Sequence, residues 1–293
     1  MKQPRNDHGA SRHAVAAAII ALVLALLSAC ANDDPTGIDP EGEPFLEEVY
    51  QASVENNVQY GTAPDENGAE EALLLDLFQP TNDEPLRPAL IWLHGGSFQE
   101  GHKGTMTEFA RRFAQRGFVS ASVNYRLRED AEFDYTDPDD ELAEEVKRDA
   151  QHDIQAAVRW LRANAGDLRI DPDLIFVAGY SAGGTAALRV AAYPDDSGSS
   201  GNPGSSSEVT AAVAVSGSLE PGILEAPSGP TLLIHGENDT KVPFEDVEAA
   251  CSSVARCRLV AVPSVDHNSL ISIAKEDVIA ETAGFLHAEL TGS

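Results

Sequence analysis

The sequence predicts an α/β fold: a mostly parallel central sheet with helices on both faces. Three observations predict it. Short apolar runs of strand length recur along the chain and are bounded by glycine, as in ALIWLHGG (Ala89–Gly96) and TLLIHG (Thr231–Gly236). Segments of helical period alternate with them. The clearest covers 143–165, where Val146, Ala150, Ile154, Ala157, Val158 and Leu161 share one face. Finally, the length suits one large domain, for 264 of the 293 residues remain once an N-terminal leader is set aside. Strands apolar on both faces need a helix layer on each side, and alternation with helices favours parallel pairing.

The leader comes first. Lys2, Arg5 and Arg12 precede an apolar run of 16 residues, AVAAAIIALVLALLSA (Ala14–Ala29). That is short for a membrane span of about 20 residues. A basic start, a short apolar middle and a small-residue end describe a signal peptide over 1–29. Leu27-Ser28-Ala29-Cys30 resembles the lipobox of bacterial lipoproteins. The resemblance implies a lipid on Cys30, an extracytoplasmic location at the bacterial cell envelope and membrane contact only through that anchor; two acyl chains suffice for stable anchoring. Asn32–Glu48 holds seven acids, no base and three prolines, so 30–48 is expected to be an acidic tether, disordered or extended, leading to one folded domain over 49–293. The whole chain carries a formal charge of −28, which repels nucleic acid and anionic surfaces.

The elements then follow in order. LLLDLFQP (Leu73–Pro80) alternates and stops at proline, as an early strand would. ALIWLHGG is a buried strand running into a glycine loop, and FVSASVNY (Phe118–Tyr125) is another. Glu129–Glu145 has ten acids and no base, and reads as a solvated rim without the loop pattern of a calcium site. The helix over 143–165 comes next, then the strand DPDLIFVAG and a helix over Ala182–Ala192. Asp195–Ser207 (DDSGSSGNPGSSS) is expected to be a flexible surface loop. AAVAVSG, TLLIHG and RLVAVP supply three more strands, and a helix over Lys275–Leu290 closes the chain. Cys251 and Cys257 flank a helix-to-strand turn. In an oxidising compartment they can form a disulfide; the alternative is two free buried thiols. Nothing around them suggests a metal site.

The chemistry centres on GYSAGG (Gly179–Gly184), which sits between a strand and a helix. A serine on such a tight turn is held above the sheet edge, with the next amide free at a helix N-terminus. Gly179 and Gly183 are required where a Cβ would clash, and Gly184 lets the helix approach its neighbours. Ser181 is therefore the candidate nucleophile, and it needs a base. Of the eight histidines, His8 and His13 leave with the leader. His102, His152 and His287 are expected on polar or exposed faces. His235 ends a strand and suits a structural hydrogen bond. His267 lies just past the last strand and before the final helix, where a base is wanted. The orienting acid should fall between serine and histidine; Asp239, in the loop after TLLIHG, is the choice over Glu237, Asp246 and Asp266. In His94-Gly95-Gly96-Ser97-Phe98, glycines let amides approach a ligand oxygen. The amides of Gly96, Ser97 and Ala182 are assigned to an oxyanion hole, where each well-aimed donor contributes roughly 3–4 kcal/mol. His94 is expected to brace this loop by hydrogen bonding.

Taken together, LLLDLFQP, HGGSF followed by Gly101, NYRL, AAVRWLRANA, IDPDLIFVAGYSAGG, HGENDTKVP and VDH resemble the α/β-hydrolase superfamily. The nearest likeness is to bacterial carboxylesterases and lipases related to the hormone-sensitive lipase group. The resemblance runs from Leu73 to His267. It implies an α/β-hydrolase fold and a serine esterase with Ser181, Asp239 and His267 as triad, acting through an acyl-enzyme without a cofactor. Two departures matter. Ser97 stands where many relatives have a third glycine, so a side chain shares the pocket. Only LEPGILEAPSGP (Leu219–Pro230) stands where lid-bearing relatives insert a cap, so the lid is expected to be small or absent. An open cleft suits short-chain or carbohydrate-linked acyl groups, on a small-molecule or polysaccharide ester, better than long-chain lipids. An amidase or peptidase on the same triad, and a non-catalytic binding protein of this fold, remain the alternatives.

Overall fold

The structure is a computed structural model that describes residues 41–292 apart from 66, 135, 136, 138, 197 and 219–228. Among the described residues eight strands form one sheet. They are β1 (Ala52–Pro64), β2 (Glu70–Pro80), β3 (Arg87–Leu93), β4 (Val119–Val123), β5 (Ile170–Tyr180), β6 (Ala212–Val215), β7 (Thr231–Gly236) and β8 (Cys257–Val262). Their order is β1-β2-β4-β3-β5-β6-β7-β8. β1 is antiparallel to β2, and β2 to β4; the remaining pairs are parallel.

Every residue of β3, β4, β6 and β7 is buried, which is why these strands read as largely apolar runs with few polar residues, such as Ser120 and Ser122 of β4. Helices α1 (Thr107–Gln115) and α5 (Lys275–Thr291) cover one face of the sheet. Helices α2 (Glu141–Ala163), α3 (Ala182–Ala192) and α4 (Phe244–Ser252) cover the other. This is the expected mostly parallel sheet between two helix layers. Helix α2 begins two residues before its expected start because Asp140 caps it. The carboxylate accepts the amides of Leu142 and Ala143, each at 3.0 Å, and its charge suits a helix N-terminus.

Besides one-turn helices, two longer elements had no counterpart in the sequence reading. β1 is an edge strand that buries only Tyr60 and Ala63 of its length, too little for an alternating signal. α1 is short, and its apolar stripe is made of Phe109, Ala110, Phe113 and Ala114. It is held by aromatic packing on Trp92 of β3, whose ring lies 4.9 Å from Phe109 and 5.3 Å from Phe113. Burying one such ring is worth about 2–3 kcal/mol.

Two expectations need correction. The tether assigned to 30–48 does not run free to Glu48. The Phe45 amide donates to the Arg116 carbonyl at 2.6 Å, and its ring meets Phe118 edge-on at 5.4 Å. Glu48 accepts from Arg112 Nε at 2.6 Å and from Arg116 Nη1 at 2.7 Å. Acidic composition suggested solvation, but two arginines from α1 and its C-cap supply the missing countercharge. The Asp195–Ser207 loop is likewise pinned to α2. Ser200 Oγ donates to Asp153 at 2.7 Å, Arg159 donates to Ser207 Oγ at 2.8 Å, and Gly198 packs directly on His152. Its small residues serve close approach there, where low complexity had suggested a flexible loop.

The parallel strands β3, β5, β7 and β8 point the same way. Their carboxyl-terminal loops therefore meet at one sheet edge, the place where open α/β sheets bind ligands. The segments after Leu93, Tyr180, Gly236 and Val262 converge there. Among the described residues no helix is long and apolar enough to cross a membrane.

Candidate active site

Ser181 leaves β5 and immediately starts α3. Its backbone is left-handed, with φ 53° and ψ −122°, a conformation that side chains rarely adopt. The glycines around it make the turn possible. A Cβ on Gly179 would collide with the carbonyl of Gly183, and one on Gly183 with the carbonyls of Leu93 and His94. The Ser181 amide donates to Val215 at 2.8 Å, so β6 also holds the turn.

The structure brings the three expected side chains into one line. Ser181 Oγ lies 2.8 Å from His267 Nε2, and His267 Nδ1 lies 2.7 Å from Asp239 Oδ2. All three are buried. Asp239 Oδ1 accepts the amides of Lys241 and Val242, both at 2.9 Å, so the carboxylate is fixed by its own loop. Burial pushes the Asp239 carboxyl up, but hydrogen bonds from His235, His267 and the Val242 amide outweigh it and hold the group well below the usual carboxylate range. The carboxylate therefore stays ionised, and as an acceptor it keeps the proton on His267 Nδ1 and leaves Nε2 free to accept.

The alternative acids lie elsewhere. Glu237 is exposed. Asp266 accepts the Ser269 amide at 2.9 Å in a turn, and Asp246 sits in the first turn of α4.

The loop after β3 packs against the serine turn. A Cβ on Gly95 would lie 3.1 Å from Ser181 Cβ, and one on Gly96 would collide with the Glu100 carbonyl. The Gln99 and Glu100 amides close the loop onto the Gly96 carbonyl at 2.9 and 3.0 Å. Gly96, Ser97 and Phe98 all have positive φ, at 124°, 55° and 61°. Phe98, fully buried, anchors the strained segment. Among the described residues no backbone hydrogen bond outside helices and strands uses the Gly96, Ser97 or Ala182 amides. His94 braces the loop: Nδ1 donates to the Gly95 carbonyl at 2.8 Å, and its ring stacks on Tyr125 at 4.3 Å. Burial lowers its pKa to about 4, so the ring is neutral near pH 7.

Sequence reasoning missed Tyr180 and Ser216. Tyr180 Oη donates to the His267 carbonyl at 3.2 Å and reaches Asn268 Oδ1 at 3.0 Å. Ser216 Oγ donates to the same carbonyl at 3.3 Å. These contacts tie the His267 loop to β5 and β6. No local pattern announces them, because each joins segments far apart in the chain. Of the other histidines, His152 faces the carboxylate of Asp196 at 3.1 Å, while His287, expected to be exposed, is half-buried, 3.4 Å from Glu43. His102 is exposed.

Above Ser181 opens a cleft of about 340 Å³. Its rim is polar, with Ser97, Glu100, Thr105, Lys241 and Asn268; Ile271 is the one aliphatic side chain among its described residues. Among the described residues no group of three or more His, Cys, Asp or Glu side chains could hold a metal ion. Cys251 and Cys257 are joined by a disulfide that staples α4 to β8. Cys30 and Leu219–Ala226, with the next two residues of the short segment before β7, lie outside the described residues.

Residues 75–220 match a family model designated BD-FAE. Gut esterase 1 of Caenorhabditis briggsae is 27% identical over 166 residues, covering 53% of this chain and 28% of that protein. Phenmedipham hydrolase of Pseudarthrobacter oxydans is 29% identical over 170 residues, covering 57% and 30%. The matched stretches span less than a third of either relative. Among solved structures, Thermogutta terrifontis esterase 2 phosphonylated by cyclosarin superposes with a TM-score of 0.65 at 23% identity, over 80% of this chain and 93% of that one. The same esterase with propionate bound gives a TM-score of 0.64 at 23% identity, over 80% and 93%. With its mostly parallel sheet, its helix layers and this structural likeness, the chain has the α/β-hydrolase fold.

Proposed function

We propose that the chain is a serine hydrolase of carboxylic esters that works through an acyl-enzyme. One observation carries the reading: Ser181 Oγ, the His267 imidazole and the Asp239 carboxylate form a continuous relay at 2.8 and 2.7 Å, beside a loop with unused amides. His267 Nε2 takes the Ser181 proton as Oγ attacks the ester carbonyl. The amides of Gly96, Ser97 and Ala182 receive the oxyanion. On collapse the C–O bond to the alcohol breaks, and His267 returns the proton to the leaving oxygen. Water then repeats the steps and frees the acid, while Asp239 holds the tautomer and stabilises the imidazolium. Relatives named as an esterase and a hydrolase support this chemistry, as does the phosphonylated esterase of the same fold.

The preferred substrate is a short-chain or carbohydrate-linked acyl ester. Among the described residues lining the cleft, Ile271 and Tyr180 are the large apolar side chains, and a cleft of about 340 Å³ suits a short acyl group better than a long alkyl chain. The bound propionate in the Thermogutta terrifontis esterase fits the same preference. The enzyme acts outside the cytoplasm, held by a lipid on Cys30. The test is turnover of p-nitrophenyl esters from acetate to palmitate by the wild-type protein and Ser181→Ala. The reading stands if acetate and butyrate are preferred and Ser181→Ala is inactive. It fails if Ser181→Ala turns over acetate at the wild-type rate.

A further inference from the structure

Asp239 is contacted by two imidazoles. One is His267, with Nδ1 at 2.7 Å from Oδ2. The other is His235 on β7, with Nε2 at 3.1 Å from the same oxygen and 2.9 Å from the Val242 carbonyl. The side chains of His235 and Asp239 are both 0% exposed. A carbonyl and an ionised carboxylate can only accept, so Nε2 of His235 carries the hydrogen and is shared between them. Its Nδ1 is buried without a hydrogen-bond partner. An imidazole is an unfavourable way to fill such a space, since an aliphatic side chain would leave no polar atom orphaned. What the imidazole adds is the donor on Asp239. With the amides of Lys241 and Val242, four donors converge on the two carboxylate oxygens.

We propose that His235 is a positioning residue of the relay: its Nε2–H holds Asp239 Oδ2 against His267 Nδ1 and takes a share of that oxygen's charge. The inference rests on the reading of Ser181, His267 and Asp239 as a catalytic triad. Among the described residues, the titratable groups facing Asp239 are His235 from β7 and His267 and Asp266 from the loop after β8; exposed Lys241, on its own loop, meets the carboxylate through its backbone amide. Helix α4 contributes Phe244, whose ring lies 6.3 Å from that of His235. A carboxylate that shares its charge with a second donor stabilises an imidazolium less. Without His235 the charge concentrates toward His267 and favours its protonated form. The acidic limb of the kcat/KM profile then moves to higher pH. The carboxylate also gains freedom to leave the line, which lowers kcat.

The test compares His235→Leu, His235→Asn and His235→Gln on p-nitrophenyl acetate, with Ser181→Ala alongside. The longer Gln amide can place a donor near the Nε2 position; Asn and Leu cannot. His235→Leu and His235→Asn are expected to lose kcat about 10- to 100-fold, as for a misplaced catalytic group. Their KM should change less than about twofold, and their acidic limb should rise by about half a pH unit or more. His235→Gln should recover most of kcat and bring the limb back. If His235→Leu does not fold, the contrast between Gln and Asn decides. Equal losses in Gln and Asn with an unmoved limb, or wild-type behaviour of Leu or Asn, overturn the proposal. Inactive Ser181→Ala beside unmoved limbs would sink this inference alone; active Ser181→Ala would sink the triad with it.

Discussion

Ser181 Oγ and His267 Nε2 lie 2.8 Å apart although 86 residues separate them in the chain. Parallel strands bring this about: β5 and β8 end at the same sheet edge, and the carbonyl of His267 is tied back to Tyr180 and Ser216. The distance is that of an ordinary hydrogen bond, so the relay needs no rearrangement before substrate arrives.

Asp239→Asn tests the tautomer argument. The amide can still accept from Lys241 and Val242, so the loop should keep its shape. An NH2 group facing His267 Nδ1 favours the wrong tautomer. We expect kcat to fall about 10⁴-fold, and the urea midpoint to drop as well, because that NH2 also faces the buried His235 Nε2–H. Retention of a tenth of the wild-type kcat would show that the carboxylate does not set the tautomer.

The strained loop makes two opposite predictions. A Cβ at Gly96 meets the Glu100 carbonyl, and its φ of 124° suits only glycine. Gly96→Ala should therefore displace an oxyanion donor and lower kcat about 10²- to 10³-fold. Ser97 holds φ 55° with a side chain in place. Ser97→Gly keeps the amide, relieves the left-handed backbone, and should raise stability by about 1 kcal/mol with activity retained. Urea melts and p-nitrophenyl acetate kinetics read both effects.

His94 makes stability depend on pH. Burial lowers its folded pKa from 6.5 to about 4. Between those values the unfolded ring binds a proton that the folded ring does not. Stability is therefore full above pH 6.5 and declines as pH falls toward 4. The loss attributable to this one group is about 3 kcal/mol. His94→Phe, which preserves the stack on Tyr125, should flatten the denaturation midpoint over that window. An unchanged slope would place the acid sensitivity elsewhere.

The Cys251–Cys257 disulfide closes a loop with a sequence separation of 6. Loop-closure entropy for so short a ring corresponds to about 2 kcal/mol. The double variant Cys251→Ser and Cys257→Ser should lose about that much stability in urea. Its kcat should stay at the wild-type value, because Asp239 is fixed by Lys241 and Val242 before α4 begins. A matching loss of kcat would mean that the staple reaches the acid loop.

What the sequence by itself determined is local. The apolar runs Ala89–Leu93 and Thr231–Gly236 marked buried strands, because a strand between two helix layers must be apolar on both sides. Gly179, Ser181 and Gly183 marked the tight turn, because only glycine fits beside those carbonyls. The candidate relay was legible for the same reason: each member stands at a strand end with a recognisable turn around it. What only the tertiary structure decided involves contacts between distant segments. Glu48 reads as part of a solvated tether until Arg112 and Arg116 face it. The glycine-serine loop reads as flexible until Asp153 and Arg159 hold it. His235 reads as a strand end until Asp239 lies 3.1 Å away. Periodicity and turn chemistry are written within a few residues, whereas partner choice for a charge or a ring nitrogen is settled by packing across the whole sheet.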